Sequence, residues 1–216
     1  AAQEWYPSQW GADDERGAAN RLTSAKVLEA KELITTGRVY ALGRVYEPGI
    51  PLFGTRHFSL RIPQAFGPSA SNEFLYLDEI VSGELGQIGT QFDGLGHVAI
   101  GDVFYNGNRA SDFVRAEGLT RLGIENVGPI VTRGVLIDVA RYKDVAQLGA
   151  SYEISVADLE GALRAQRTEI RPGDVVLLHT GWGALWKVDN ERYLATSPGM
   201  GVPAAEWLAA QEIVMV

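Results

Sequence analysis

The chain contains no cysteine, which excludes disulfides and any zinc site built on thiolates. That absence leaves the redox compartment open. Histidine is nearly as scarce, with three in 216 residues, at His57, His97 and His179. Basic residues are the minority charge, 19 Lys and Arg against 27 Asp and Glu, for a net charge of −8. This argues against nucleic acid as a partner, because phosphate binding needs clustered Lys and Arg. No apolar run reaches the roughly 18 residues that a membrane-spanning helix requires, so no membrane partner is expected.

What is present is ordinary globular composition, 46% hydrophobic and 21% charged. A chain of 216 residues is enough for one substantial domain or two small ones. It opens on Ala1 without a methionine and closes on the apolar run AAQEIVMV. The expectation from these ends is that a leader or tag preceded Ala1 and that the native product continues past Val216. The compartment would be cytoplasmic, or periplasmic or secreted if the leader was a signal peptide.

Along the chain, "NRLTSAKVLEAKELITTGRVY" predicts a helix capped by Thr23 or Ser24, with apolar positions at Val27, Leu28 and Leu33 and a stop at Gly37. "VYALGRVYEPGIPLFG" is strand-like until Pro48-Gly49 and Pro51 break it. Residues 57–62 and 74–81 are strand-length apolar or alternating runs separated by a turn-rich loop. Residues 134–140 and 174–180 are continuous runs of Val, Leu and Ile, which predict strands buried on both faces. Between them Ser155-Val-Ala-Asp158 is a capping box, and Val156, Leu159 and Leu163 share one helical face. Pro203 opens a last helix before the final apolar run. The order strand, helix, strand, helix, strand predicts α/β architecture in the second half, with more irregular β structure in the first.

Residues 86–106, "GQIGTQFDGLGHVAIGDVFYN", stand apart. Four glycines fall within eleven residues, and glycine packs poorly and loses the most backbone freedom on folding. Such a run points to tight turns or the close approach of a ligand. Gln91 and Asp93 are i and i+2, so on an extended backbone both side chains face the same way. His97 follows four residues later, within reach through the bends that Gly94 and Gly96 allow. An amide, a carboxylate and an imidazole can together hold a divalent cation. Alternatively His97 is the general base and the other two hold the metal. The structural alternative is that Asp93 caps a turn and His97 is a satisfied buried histidine.

Other searches return no nucleophile elbow, no His-Glu-x-x-His and no phosphate-binding Gly-Lys-Ser/Thr loop. "HTGWGALW" places His179 at the C-terminal end of a predicted strand, where α/β ligand sites gather. A structural hydrogen bond is the simpler role for it. His57, beside Arg56, faces either a polar pocket or solvent. The tryptophans at 5, 10, 182, 186 and 207 read as core and interface anchors rather than a cofactor box.

The run Gln87-Ile-Gly89-Thr90-Gln91-Phe-Asp93-Gly-Leu-Gly-His97 resembles the signature of the cyclase family of metal-dependent hydrolases, His-x-Gly-Thr-His-x-Asp-x-Pro-x-His. That family includes bacterial kynurenine formamidase, isatin hydrolase and a trans-dienelactone hydrolase. "WGADDERGAANRLT", "RGVLIDVA", "ISVADLE", "RPGDVVLLHTGW" and "SPGMGVPAAEWLA" follow the family's order, so the resemblance spans nearly the whole chain, residues 5–216. Two departures stand out. Glutamine occupies both outer histidine positions, at Gln87 and Gln91, and the proline is replaced within Gly94-Leu95-Gly96. The match is to a Gly-Thr-Gln-Phe/Trp-Asp branch. Amide oxygens are weaker donors than imidazole and favour harder ions.

The resemblance implies a single α/β domain over residues 1–216, of the swivelling β/β/α type with a mixed sheet and without its C-terminal third. The family's closing His and Glu ligands would lie past Val216. It implies a divalent metal, zinc or manganese, held by Asp93, Gln91 and Gln87, with His97 as the proton-transfer group. The implied reaction is attack of water on a carbonyl of a small amide, imide or lactone, in a homodimer or homotetramer. A binding protein of the same fold without catalysis is the alternative that the two glutamines suggest. Phe53, Phe66, Phe92, Phe104 and Tyr105 are candidates to line a pocket for a flat ring, with His57 as a further substrate contact.

Overall fold

The computed structural model describes residues 5–63 and 71–216. In chain order its regular elements are α1 (Ser24–Lys31), β1 (Phe58–Arg61), β2 (Ile80–Gly83), α2 (Ala110–Phe113), β3 (Val114–Arg115) and β4 (Gly118–Leu119). They continue with β5 (Gly134–Asp138), α3 (Val139–Tyr142), β6 (Glu153–Ile154), α4 (Val156–Gln166) and β7 (Val175–His179). The last are α5 (Asn190–Ala195), β8 (Gly199–Met200) and α6 (Val202–Ala210). Ladders β1–β2 and β3–β4 are antiparallel, and β5–β7 and β6–β8 are parallel. The mixed α/β class expected from the sequence is the observed one. Two compact units are formed, one from Ala1–Val39, Asp93–Gly181 and Pro198–Val216, the other from Tyr40–Phe92 and Trp182–Ser197.

In the first unit, α4 forms where the capping box predicts. The Ser155 hydroxyl accepts the Asp158 backbone N–H, and the Asp158 carboxylate accepts the Ser155 N–H. The i, i+3, i+7 spacing of Val156, Leu159 and Leu163 lays one face of α4 over the sheet, joining Val135, Ile137 and Val176 in the core with Ala204 and Leu208 of α6. Leu159 and Ile137 are fully buried, and each such side chain contributes about 1.5–3 kcal/mol. Both-face burial of the central strands is not what forms. β5 alternates buried Val135 and Ile137 with exposed Leu136, and β7 buries Val176 but leaves Leu177 exposed, because the helices packed on the pair cover one face. The final apolar run extends this ladder, with a bridge from Met215 to Val175.

Helix α1 departs further from expectation. It starts at the Thr23 cap but ends at Lys31, six residues before Gly37, and none of its residues is buried. Its anchor is ionic. Lys26 Nζ lies 3.5 Å from the fully buried carboxylate of Asp174, which also binds Arg133 at 2.6 Å and accepts the Arg171 N–H at 2.7 Å. Asn106, buried and left-handed at φ 59°, pins the opening segment by donating from Nδ2 to the carbonyls of Gly11, Ala12 and Asp14.

In the second unit, residues 57–62 give β1 as expected, but of residues 74–81 only the end enters β2. Residues 39–54 form no strand. They are held instead by side chains, with Glu47 paired to Lys187 at 2.7 Å and the Gly49 carbonyl accepting from Asn190 at 3.2 Å. Trp182 is buried, in keeping with an anchoring role. Among the described residues no helix is long and apolar enough to cross a membrane.

Candidate functional site

The glycine-rich stretch crosses the boundary between the units at Phe92 and Asp93, so its two halves are described in turn. In the second unit, Gln87 takes a left-handed backbone at φ 62°. Its N–H donates to the side-chain oxygen of Gln91. Its carbonyl accepts the Phe53 N–H at 3.4 Å. Thr90 is held from both sides: its hydroxyl accepts the Arg44 N–H at 2.8 Å and its carbonyl accepts the Tyr46 hydroxyl at 2.8 Å. A Cβ at Gly89 would lie 2.8 Å from the Tyr46 ring, so any larger residue there would have to displace that ring. Phe53 and Phe92 are both exposed.

In the first unit, Asp93 and His97 stand side by side, with Oδ1 and Nε2 3.8 Å apart and both side chains partly exposed. The spacing is helical, and a turn supplies it: the His97 N–H donates to the Gly94 carbonyl at 3.0 Å. Gly96 permits close approach, because a Cβ would meet Leu119 Cδ1 at 2.6 Å and the Leu122 carbonyl at 3.2 Å. His97 opens on a cleft of about 490 Å³ with an aliphatic wall of Leu119, Leu122 and Ile124 and with Glu117 and Glu125 at its sides. That volume suits a small-molecule ligand. The expectation that His97 could be a satisfied buried histidine does not describe this geometry.

Among the described residues no group of three or more His, Asp or Glu is gathered for a metal. In the second unit the Gln91 side-chain oxygen, with one lone pair engaged by the Gln87 N–H, keeps a second. By donor chemistry, a carboxylate such as Asp93 and amide oxygens such as those of Gln87 and Gln91 suit a harder divalent ion.

The remaining residues singled out from sequence have partners of their own. His57 is fixed at the β1–β2 hairpin, with Nδ1 3.1 Å from Glu84 and Nε2 3.2 Å from the Ser82 hydroxyl. Its backbone N–H, hydrogen-bonded to Glu84, holds that carboxyl below its ordinary range. Phe104 packs edge-on against Phe113. Tyr105 donates to the Asp14 carboxylate at 2.6 Å and accepts from the Ser8 hydroxyl at 2.7 Å, and burial together with the Asp14 carboxylate pushes its hydroxyl up to about 12. Phe66 lies outside the described residues.

His179 has the structural bond expected of it, from Nδ1 to Asp138 Oδ1 at 2.7 Å. Burial raises the Asp138 carboxyl, but the bond to His179 and the Arg141 N–H bring it below its ordinary value. Asp138 was not singled out from the sequence, although both residues close apolar runs and sit in register at the ends of β5 and β7. Glu117, Glu125, Arg44 and Tyr46 were also missed. They carry no local motif, and only the fold brings them to the loop or the cleft.

The Cyclase family model matches residues 40–216. A crystal structure described as a novel cyclase superposes with a TM-score of 0.87 at 31% identity, over 95% of this chain and 72% of that one. Isatin hydrolase A from Ralstonia solanacearum superposes with a TM-score of 0.58 at 22% identity, over 89% of this chain and 70% of that one, which shows a shared fold. No curated protein matches the chain. The family model spans most of the chain and the cyclase structure is 31% identical over 95% of it, and the chain belongs to the Cyclase family.

Proposed function

We propose that this protein is a metal-dependent hydrolase that opens a small cyclic or aryl amide, imide or lactone with water. The observation that carries the reading is the Asp93–His97 pair, of which His97 lines a cleft of about 490 Å³ walled by Leu119, Leu122 and Ile124. In this reading Asp93 is the anionic ligand of a zinc or manganese ion, and Gln91 and Gln87 supply neutral donors. The ion would contribute Lewis acidity toward a carbonyl and toward water. The rest of the chemistry belongs to the chain. His97 takes a proton from the attacking water on its imidazole, the side chain that exchanges protons near neutrality. Asp93, 3.8 Å from Nε2, stabilises the imidazolium, which then protonates the leaving nitrogen or oxygen. Leu119, Leu122 and Ile124 hold the apolar part of the substrate. Side chains such as Leu136 and Leu177, exposed in the single chain, favour a homodimer or homotetramer.

A second reading, a ligand-binding protein without catalysis, is favoured by the glutamines at both outer histidine positions and by the lack of a three-residue His, Asp and Glu cluster among the described residues. Metal analysis and a panel of formamides, cyclic imides and lactones separate the two. The hydrolase reading expects stoichiometric zinc or manganese, turnover of at least one panel member and loss of the metal in Asp93→Ala. Full metal retention in Asp93→Ala would place the grip elsewhere, and a metal-loaded protein inert toward the whole panel would favour the binding role.

A further inference from the structure

We propose that Tyr46 is a positioning residue for the Gln91 donor, an inference that rests on reading Gln91 as a metal ligand. Nothing in the local sequence marks Tyr46, which lies 45 residues before Gln91. In the structure it touches the loop in two ways. Its ring occupies the space that a side chain at position 89 would need, with Cζ 2.8 Å and Oη 3.0 Å from an ideal Cβ. Its hydroxyl donates to the Thr90 carbonyl at 2.8 Å. The peptide so held is the one that leads into Gln91, and the Gln91 side-chain oxygen is fixed by the Gln87 N–H. The loop is therefore clamped at Thr90 and at Gln87, and between these points the amide oxygen has little freedom to swing.

The clamp is itself supported. The Tyr46 ring packs edge-on against Phe58, centroids 5.7 Å apart. Arg44, two residues earlier, gives its N–H to the Thr90 hydroxyl at 2.8 Å, donates from its guanidinium to the Gly183 carbonyl at 2.5 Å and covers the Trp186 ring at 5.6 Å. Segment 44–46 thus ties the metal-binding loop to the turn that follows His179. This gives the "GWGALW" part of that motif a task that core packing alone does not explain. A neutral amide is a weak donor, and its affinity depends on arriving preoriented. Hydrogen-bond partners behind metal ligands are worth typically 10–100-fold in affinity or activity.

The test is a double-mutant cycle read by titrating apo-protein with zinc, on the full chain, with circular dichroism and the melting temperature as controls. Tyr46→Phe keeps the ring against Gly89 and Phe58 and removes only the hydroxyl, so it is expected to fold. We expect zinc affinity to fall by about 10-fold or more in Tyr46→Phe. In a Gln91→Ala background, where the positioned group is gone, the same change should have almost no further effect. Wild-type affinity in Tyr46→Phe overturns the inference, and so does an equal loss in both backgrounds, which would mark a merely structural role. If the wild-type protein takes up no zinc or manganese at all, the hydrolase reading falls and this inference falls with it. Metal uptake that is indifferent to Tyr46 removes this inference alone.

Discussion

Replacing Asp158 with asparagine removes one charge from the first turn of α4 and leaves its shape. Asp158 is almost completely buried. One oxygen accepts from the Ser155 N–H at 3.0 Å, the Ser155 hydroxyl at 2.9 Å and the Tyr152 hydroxyl at 3.0 Å, and the other meets the Lys143 ammonium. Burial by itself would raise the carboxyl. Lys143, with the Ser155 and Tyr152 donors, outweighs burial and holds it at about 2 against an ordinary 3.8. At 1.36 kcal/mol per pKa unit this difference corresponds to about 2 kcal/mol. Lys143 is partly open to solvent, which screens the pair and brings the expectation to roughly 1–2 kcal/mol. The sign follows from a depressed folded-state value. The stabilisation is present above pH 4, is about half gone by pH 3 and vanishes as pH falls through 2. Urea unfolding of wild type and Asp158→Asn at pH 7, 4 and 3 measures it. A gap of about 1–2 kcal/mol at pH 7 that narrows on acidification is expected. A gap independent of pH would refute the electrostatic origin, and no gap at pH 7 would refute the magnitude.

The site offers two further expectations. His97→Ala should bind zinc within a few-fold of wild type while turnover on the best panel substrate falls about 100-fold or more, the usual scale for a lost acid–base group; normal turnover would remove His97 from proton transfer. Gln91→His should tighten zinc, because imidazole is the better donor to that ion, and should shift the pH–rate profile upward, since a stronger donor leaves less positive charge to acidify water. Unchanged or weaker zinc affinity in a folded Gln91→His protein would mean that Gln91 serves only its hydrogen bond to Gln87.

Much of this protein is legible without coordinates wherever the signal is local. The capping box at Ser155 and Asp158, the apolar face of Val156, Leu159 and Leu163 and the strands at 134–138 and 175–179 rest on neighbours within a few residues, and they form where the sequence predicts. The glycine-rich loop is legible for the same reason: four glycines beside Asp93 and His97 have little use except close approach. Long-range facts are not legible. Residues 39–54 read as a strand from β-propensity, yet they become an irregular segment held by contacts of Arg44, Tyr46 and Glu47 with residues distant in sequence. Helix α1 reads as amphipathic, yet it leaves Val27 and Leu28 exposed and anchors through Lys26 to a carboxylate 148 residues away. Gly89 announces a close approach, but that the approaching group is the Tyr46 ring is decided only by the fold. The same holds for Glu117 and Glu125 at the His97 cleft and for Asp138 behind His179. Sequence periodicity reports the contacts a residue makes with its own element, while a site is assembled from contacts between elements, and those are set by tertiary packing.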